Sequence, residues 1–367
     1  MSGTDRHARY TEALDLVEDF IHVEDLDRAL ALFEGLAEDE AAAAAVYAGY
    51  SKALWIKYRA ERDEQWLPEA EAMARKALDK GPFLAAAHAS LGVVLLAQRR
   101  TEAGLGALEE ALRLDPTCVD AHLGFADHYE QTAQIELAEQ AYRRVLEVEP
   151  RGRRALDRFG ALLFNAARLD EAEALFERSI EVAPTNVFGY GNLAGVAFMR
   201  GDLDKAAAIL QQGLEIAEHS YLYSNLGTIL FYQGRYEASI EPFRRAVEVD
   251  QGVKDHLSWA NLGDAYRWTP GYEREMSEAY ERAISLVSEE IQKSPVDLTL
   301  RAQRALYKAR SGAWGDAVAE ARAVEASGEL SAQALYLLTG AYEQAGERAS
   351  ALAALGRAFE LGYPAEP

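Results

Sequence analysis

The chain contains a single cysteine, Cys118, in 367 residues, which excludes an internal disulfide framework. It has no unbroken apolar run of about 18 residues, so no membrane insertion is expected. Residues Met1 to Tyr10 carry no apolar core of a secretory signal, and the expected location is the cytoplasm. Cationic side chains are scarce: 38 Lys and Arg stand against 60 Asp and Glu, a net charge of −22. A field of that sign repels phosphate backbones, so no nucleic acid partner is expected.

The motifs of catalysis are missing as well. There is no phosphate-binding loop, no dinucleotide glycine fingerprint, no nucleophile elbow and no His-Glu-x-x-His pair. Cys118 and His122 lie four apart, with Asp127 and His128 beyond, but no second cysteine joins them. No metal or other cofactor is expected there. Most carboxylates lie beside Lys or Arg on what read as solvated helix faces. The expectation is a protein that is not an enzyme.

What is present is a period. Pro82, Pro116, Pro150 and Pro184 are each separated by 34 residues. Amphipathic stretches precede three of them, over Glu102 to Leu114, Glu136 to Val148 and Asp170 to Val182. Proline lacks an N–H and clashes with the preceding turn, so each marks a helix end. The unit is helix A, turn, helix B, proline. Counting from Val119 as position 1, small residues recur at positions 8 and 20 and large ones at 7, 11 and 24. Small residues let the two helices approach, and large ones fill the space between layers. A glycine recurs at position 15, as Gly201, Gly234, Gly312 and Gly346, where the turn between the helices is tight.

This pattern resembles the tetratricopeptide repeat over nearly the whole chain. The resemblance implies an all-α fold, a right-handed superhelical solenoid of antiparallel helix pairs with about nine to ten repeats. Units start near Tyr10, Ser51, Ala85, Val119, Arg153, Val187, Ser220, His256, Leu298 and Ala332. Residues 1–50 form a degenerate N-terminal repeat or cap, 51–296 the main array, and 297–367 two C-terminal repeats. Several departures stand out: a spacing of 41 between the first two units, with an alanine-rich helix from Ala41, and Pro242 in mid-helix, where a kink is expected. The turn around Trp268-Thr-Pro-Gly271 is longer than usual, and a helix from Glu278 to about Lys293 outruns its normal length. The segments Asn261 to Trp268 and Lys52 to Tyr58 also look like repeat regions of bacterial signalling proteins, those associated with serine/threonine kinase or cyclase domains.

The family places positions 2, 5, 6, 9, 12 and 13 of helix A on the concave face. Position 6 is asparagine in three successive units, as Asn192, Asn225 and Asn261. Each offers an acceptor and a donor, so a row of them suits the backbone of an extended peptide. The row is similar to the asparagine ladder of the O-linked sugar transferases, although asparagine is also a common filler in this repeat. Phe188, Phe198, Tyr221, Phe231, Tyr232 and Trp268 crowd positions 2, 12 and 13 as candidate anchors. Arg151, Arg153, Arg154 and Arg158 form a basic island, with Arg154 and Arg158 a candidate anion-binding pair on one helix face. Salt bridges to Glu147, Glu149 or Asp157 are the alternative use of that island.

The function expected is a scaffold or adaptor that binds an extended protein or peptide ligand, or a partner helix, in the concave groove. A regulatory or sensor module of a bacterial signalling enzyme is the alternative. Self-assembly is a third: the last helix carries Leu352, Leu355, Ala358, Phe359 and Leu361, an apolar face that predicts a homodimer through the C-terminal repeat.

Overall fold

In a computed structural model of the chain, residues 3–18, 20, 23–39, 42–61, 63–249 and 255–364 are described. Among the described residues there are twenty helices and no strand. The chain divides into two compact units, Met1–Val196 and Ala197–Pro367. The first holds α1 (Gly3–Glu18), α2 (Val23–Ala37), α3 (Ala44–Glu61), α4 (Trp66–Lys80), α5 (Ala85–Ala97), α6 (Thr101–Leu114), α7 (Val119–Gln131), α8 (Ile135–Val148), α9 (Arg153–Asn165) and α10 (Leu169–Val182). The division falls inside α11 (Val187–Met199). The second unit holds α12 (Leu203–Ile216), α13 (Ser220–Tyr232), α14 (Tyr236–Glu248), α15 (His256–Arg267), α16 (Glu273–Lys293), α17 (Leu298–Arg310), α18 (Trp314–Glu325), α19 (Ala332–Gln344) and α20 (Arg348–Glu360).

From Ala85 onward every expected unit start is the first residue of an odd-numbered helix, α5 through α19. The first two starts are not. Tyr10 lies inside α1 and Ser51 inside α3, because both helices begin earlier than the side-chain pattern implies. Ala41 lies outside the described residues, and α3 begins at Ala44. After α15 the connection to α16 runs over residues 268–272, and α16 extends to 21 residues. The helix begins at Glu273 rather than Glu278 and ends at Lys293 as expected, so the added length lies before the expected span. α14 continues through Pro242 as one helix. The hydrogen bond that Pro242 cannot make would have gone to Ala238, which is exposed, so that carbonyl is left to solvent.

Close approach of helix A to helix B follows from the small residue at position 8. A Cβ added at Gly160 would lie 2.5 Å from the Phe176 ring, and one at Gly227 would lie 2.6 Å from Phe243. Phe176 and Phe243, the position-24 residues, are almost fully buried against these glycines. Burying such a ring contributes on the order of 1.5–3 kcal/mol, and the missing methyl is what admits it.

Seven of the turns from helix A to helix B share one geometry. In α5 the Arg99 N–H donates to the Leu96 carbonyl and the Arg100 N–H to the Leu95 carbonyl, each at 2.9 Å. This double bond is a Schellman cap, and it requires a left-handed residue. Gly201, Gly234, Gly312 and Gly346 supply it with φ between 72° and 91°. In three earlier turns the same place is held by Arg99, Ala133 and Ala167, at φ of 62°, 56° and 57°. The repeat therefore imposes the conformation even where no glycine is present.

Candidate ligand-binding faces

Within the second unit, α13 presents an uncharged face. On α13 the six positions expected to face outward are Tyr221, Ser224, Asn225, Thr228, Phe231 and Tyr232, and none of them is buried. The intervening Leu222, Leu226, Gly227, Ile229 and Leu230 are all buried. The period of 3.6 residues thus separates core from face cleanly on this helix. Asn225 pairs through its side chain with the Tyr221 hydroxyl, and burial pushes that phenol upward from its ordinary pKa. Thr228 turns inward on its own helix, donating to the Ser224 carbonyl at 2.9 Å. On α15, Asn261 is half-buried at the equivalent position, and Asp264 next along the face is taken by Arg310 at 2.5 Å and by the Tyr280 hydroxyl at 2.5 Å.

Near the C-terminal ends of these helices the rings form a ledge of two groups. Phe198 meets Tyr232 edge-on at 5.2 Å between centroids, Phe231 meets Tyr236 at 4.9 Å, and Tyr236 stacks on Trp268 at 5.2 Å. Contacts of this kind each contribute about 0.5–1.5 kcal/mol beyond burial, which fixes the ring orientations. Tyr232 and Trp268 nonetheless remain 61% and 55% exposed. Tyr236 was not among the residues the sequence pointed to. It opens helix B rather than lying on helix A, so reading helix-A positions alone passes over it.

The first unit is closed where the second is open. Trp55 and Ile56 of α3, Ala89, Ser90 and Val93 of α5, and Leu123, Gly124 and Asp127 of α7 occupy outward positions, and all are buried. Ion pairs hold this face shut. Lys52 of α3 reaches Asp120 of α7 at 2.7 Å, and Arg59 of α3 reaches Asp127 of α7 at 2.7 Å. Both pairs pass over α5, whose corresponding residues are the small and uncharged Ala86 and Val93. α9 completes each row: Arg154 lies 3.8 Å from Asp120, and Arg158 pairs with Asp127 and, at 3.4 Å, with Glu130. Burial pushes the Arg158 guanidinium down, and the like charge of Arg59 adds to that effect.

Three members of the basic island, Arg153, Arg154 and Arg158, are therefore engaged within the fold. Arg153 pairs with Asp157 at 3.3 Å, one of the three acids named from sequence, while Arg154 and Arg158 take Glu18, Asp120, Asp127 and Glu130 instead. A signal for these partners exists: positions 2 and 9 are cationic on α3 and acidic on α7, two repeats apart. Asp127 is thus held by two guanidinium groups, and the His122 ring faces the Pro116 carbonyl at 3.0 Å. Asn192 and Phe188 lie on the part of α11 that belongs to the first unit, both half-buried, whereas Phe198 belongs to the second. Among the described residues no helix is long and apolar enough to cross a membrane.

Comparison with known proteins agrees with this geometry. Four family models described as tetratricopeptide repeat match residues 59–117, 95–158, 153–219 and 219–249. A stretch of 78 residues is 32% identical to the type IV pilus assembly protein PilF of Pseudomonas aeruginosa, covering 21% of this chain and 31% of that protein. The matched stretch is thus less than a third of that relative's length. Among solved structures, the PilF structure covers 59% of this chain and 94% of its own, at 20% identity and a TM-score of 0.45. The Cut9–Hcn1 assembly of the APC/C covers 96% of this chain and 62% of its own, at 16% identity and a TM-score of 0.53. At that identity the likeness is one of fold. The matched segments run without a gap from residue 59 to residue 249, just over half of the chain, and the chain belongs to the tetratricopeptide-repeat family.

Proposed function

We propose that the chain is a protein–protein interaction scaffold, and that α13 and α15 with the aromatic ledge hold an extended, uncharged segment of a partner. The observation that carries this reading is the outward face of α13: six positions, none fully buried and none charged, in a chain that is 27% charged. Rings give large contact area at low entropic cost, and Asn225 and Asn261 offer paired donors and acceptors to a backbone. Membership of a repeat family whose units present side chains along a stack supports the same reading. The site is built from the second unit alone, so Asn192 and Phe188 are not part of it.

The test is selection of binders from a library of unstructured peptides, followed by titration against the chain and its Asn225→Ala, Asn261→Ala, Trp268→Ala variant. Enrichment of uncharged peptides that lose at least about tenfold in affinity to the variant is expected. Peptides that bind both proteins equally would place recognition elsewhere.

A second reading rests on α20, where Leu352, Phe359 and Leu361 are exposed together. A second copy covering this face would make the chain self-assembling. Light scattering decides it: a monomer at high concentration removes this reading.

A further inference from the structure

The first unit holds an ion cluster that joins its two sequence-distant ends. Glu18 is the last residue of α1, and its carboxylate is gripped by Lys52 of α3 and by Arg154 of α9, whose Nη1 lies 3.1 Å from Oε2 and 3.4 Å from Oε1. Arg153 donates to the Glu18 backbone carbonyl across 135 residues of sequence. The last carbonyls of a helix have no partner within it and form the negative end of its dipole. The cradle therefore meets both charges of one helix terminus, the side-chain carboxylate and the free carbonyl end. Without Glu18, Lys52 and Arg154 would face Asp120 alone, a local cationic excess in a chain of net charge −22.

Apart from this contact α1 is held by the half-buried Tyr10, Leu14 and Leu16, with the Tyr10 ring edge-on to Phe33 at 6.2 Å, and by few fully buried side chains. It buries only Ala13 and Val17, whereas α2 buries Leu26, Ala29, Phe33 and Leu36. Two small side chains contribute far less apolar area than Leu and Phe do. Beside the Glu18 contact lies a cavity of about 430 Å³, lined among others by Val119, Val145, Val182 and Arg151.

We propose that this cradle is a receptor for the acidic C-terminal end of a partner helix, and that α1 occupies it in cis as an internal competitor. The partner is a helix whose last turn carries a glutamate. Its carboxylate replaces that of Glu18 on Lys52 and Arg154, and its terminal carbonyl accepts from Arg153. This site is separate from the face proposed in the second unit and does not depend on it.

The experiment uses a labelled, C-terminally amidated peptide of residues 3–18, so that Glu18 is the only carboxylate at its end. It is titrated against the wild-type chain, the Glu18→Lys chain, and Glu18→Lys combined with Arg154→Glu. The peptide should bind the Glu18→Lys chain at least about tenfold more tightly than wild type, and the Arg154→Glu combination should abolish the gain. A peptide carrying Glu18→Gln should lose at least about tenfold. Equal affinity for wild type and Glu18→Lys, or equal affinity of the two peptides, overturns the proposal. Should Glu18→Lys fail to fold, Glu18→Gln with hydrogen exchange serves instead. The amides of α1 should then exchange about tenfold faster with those of α5 to α9 unchanged, and an unaltered α1 overturns it.

Discussion

α7 and α13 hold the same place in their repeats and present opposite chemistry. The outward positions of α7 carry Asp120 and Asp127, both taken by cations from α3 and α9. Those of α13 carry rings, hydroxyls and an amide, with no charge at all. The difference has a physical origin. Where neighbouring helix-A faces come close, a charge loses water and must find an opposite charge, so an ionic pattern closes the face. Amides and rings tolerate partial exposure and stay available to a ligand. One repeat geometry thus yields an ionic brace in one unit and an uncharged, part-exposed helix face in the other, with side-chain charge as the selector.

The sharpest way to break the contrast is to remove the brace. Asp127→Ala leaves Arg59 and Arg158 facing each other without their shared carboxylate, and should cost the first unit about 3 kcal/mol. Denaturant unfolding followed by hydrogen exchange should show the loss in α3, α7 and α9, with α13 to α19 unaffected. Replacing the whole trio by Arg59→Met, Asp127→Leu and Arg158→Met should recover part of that loss, because no guanidinium is then left unpaired, while Glu130 loses Arg158 and keeps the Tyr142 hydroxyl. On the other side of the comparison, Trp268→Ala should cost ligand affinity about 30-fold, near 2 kcal/mol, with little change in melting temperature. Trp268 is more than half exposed, so the fold gains little from it.

Much of this was legible in the sequence, and the limits are physical. The helix starts from α5 to α19 follow from proline spacing and from small residues at position 8, which are local signals. The start of α3 was not, since alanine-rich segments favour helix without showing which face is buried. The six positions on α13 come from the family's pattern, and none of the six residues is buried. The closure of the first unit depends on pairs 68 residues apart, Arg59 with Asp127, and 136 apart, Arg154 with Glu18. Such contacts depend on how successive repeats curve, which the residue pattern within one repeat does not specify.

The turns offer a smaller test of the two regions. Gly234→Ala places a side chain at φ +72° with nothing within 4 Å, so conformational strain alone should cost about 1 kcal/mol. Ala133→Gly, at φ 56°, relieves that strain and should gain about 0.5 kcal/mol net of the added chain entropy. Urea midpoints of the two variants measure both.

The smallest effect is one of pH. Burial alone would raise the Glu18 carboxyl, but Arg154 and Lys52 outweigh it and hold it down to about 2. A depressed carboxyl stabilises the fold above its unfolded pKa, near 4.3, and that contribution is lost as pH falls through the folded value. Protection of α1 should therefore decline between about pH 4.5 and about pH 2, and Glu18→Gln should flatten that decline. Hydrogen exchange at stepped pH follows it directly.

The central claim is that an extended, uncharged peptide is recognised by the α13 and α15 face of the second unit and not by the ionic face of the first. The direct test is a hydrogen-exchange footprint of the chain saturated with its tightest library peptide. Slowed exchange confined to α13, α15 and the ends around Tyr232 and Trp268, with α3, α7 and α9 unchanged, is the predicted result. Protection that appears on α3, α7 and α9 while α13 stays unchanged would contradict it.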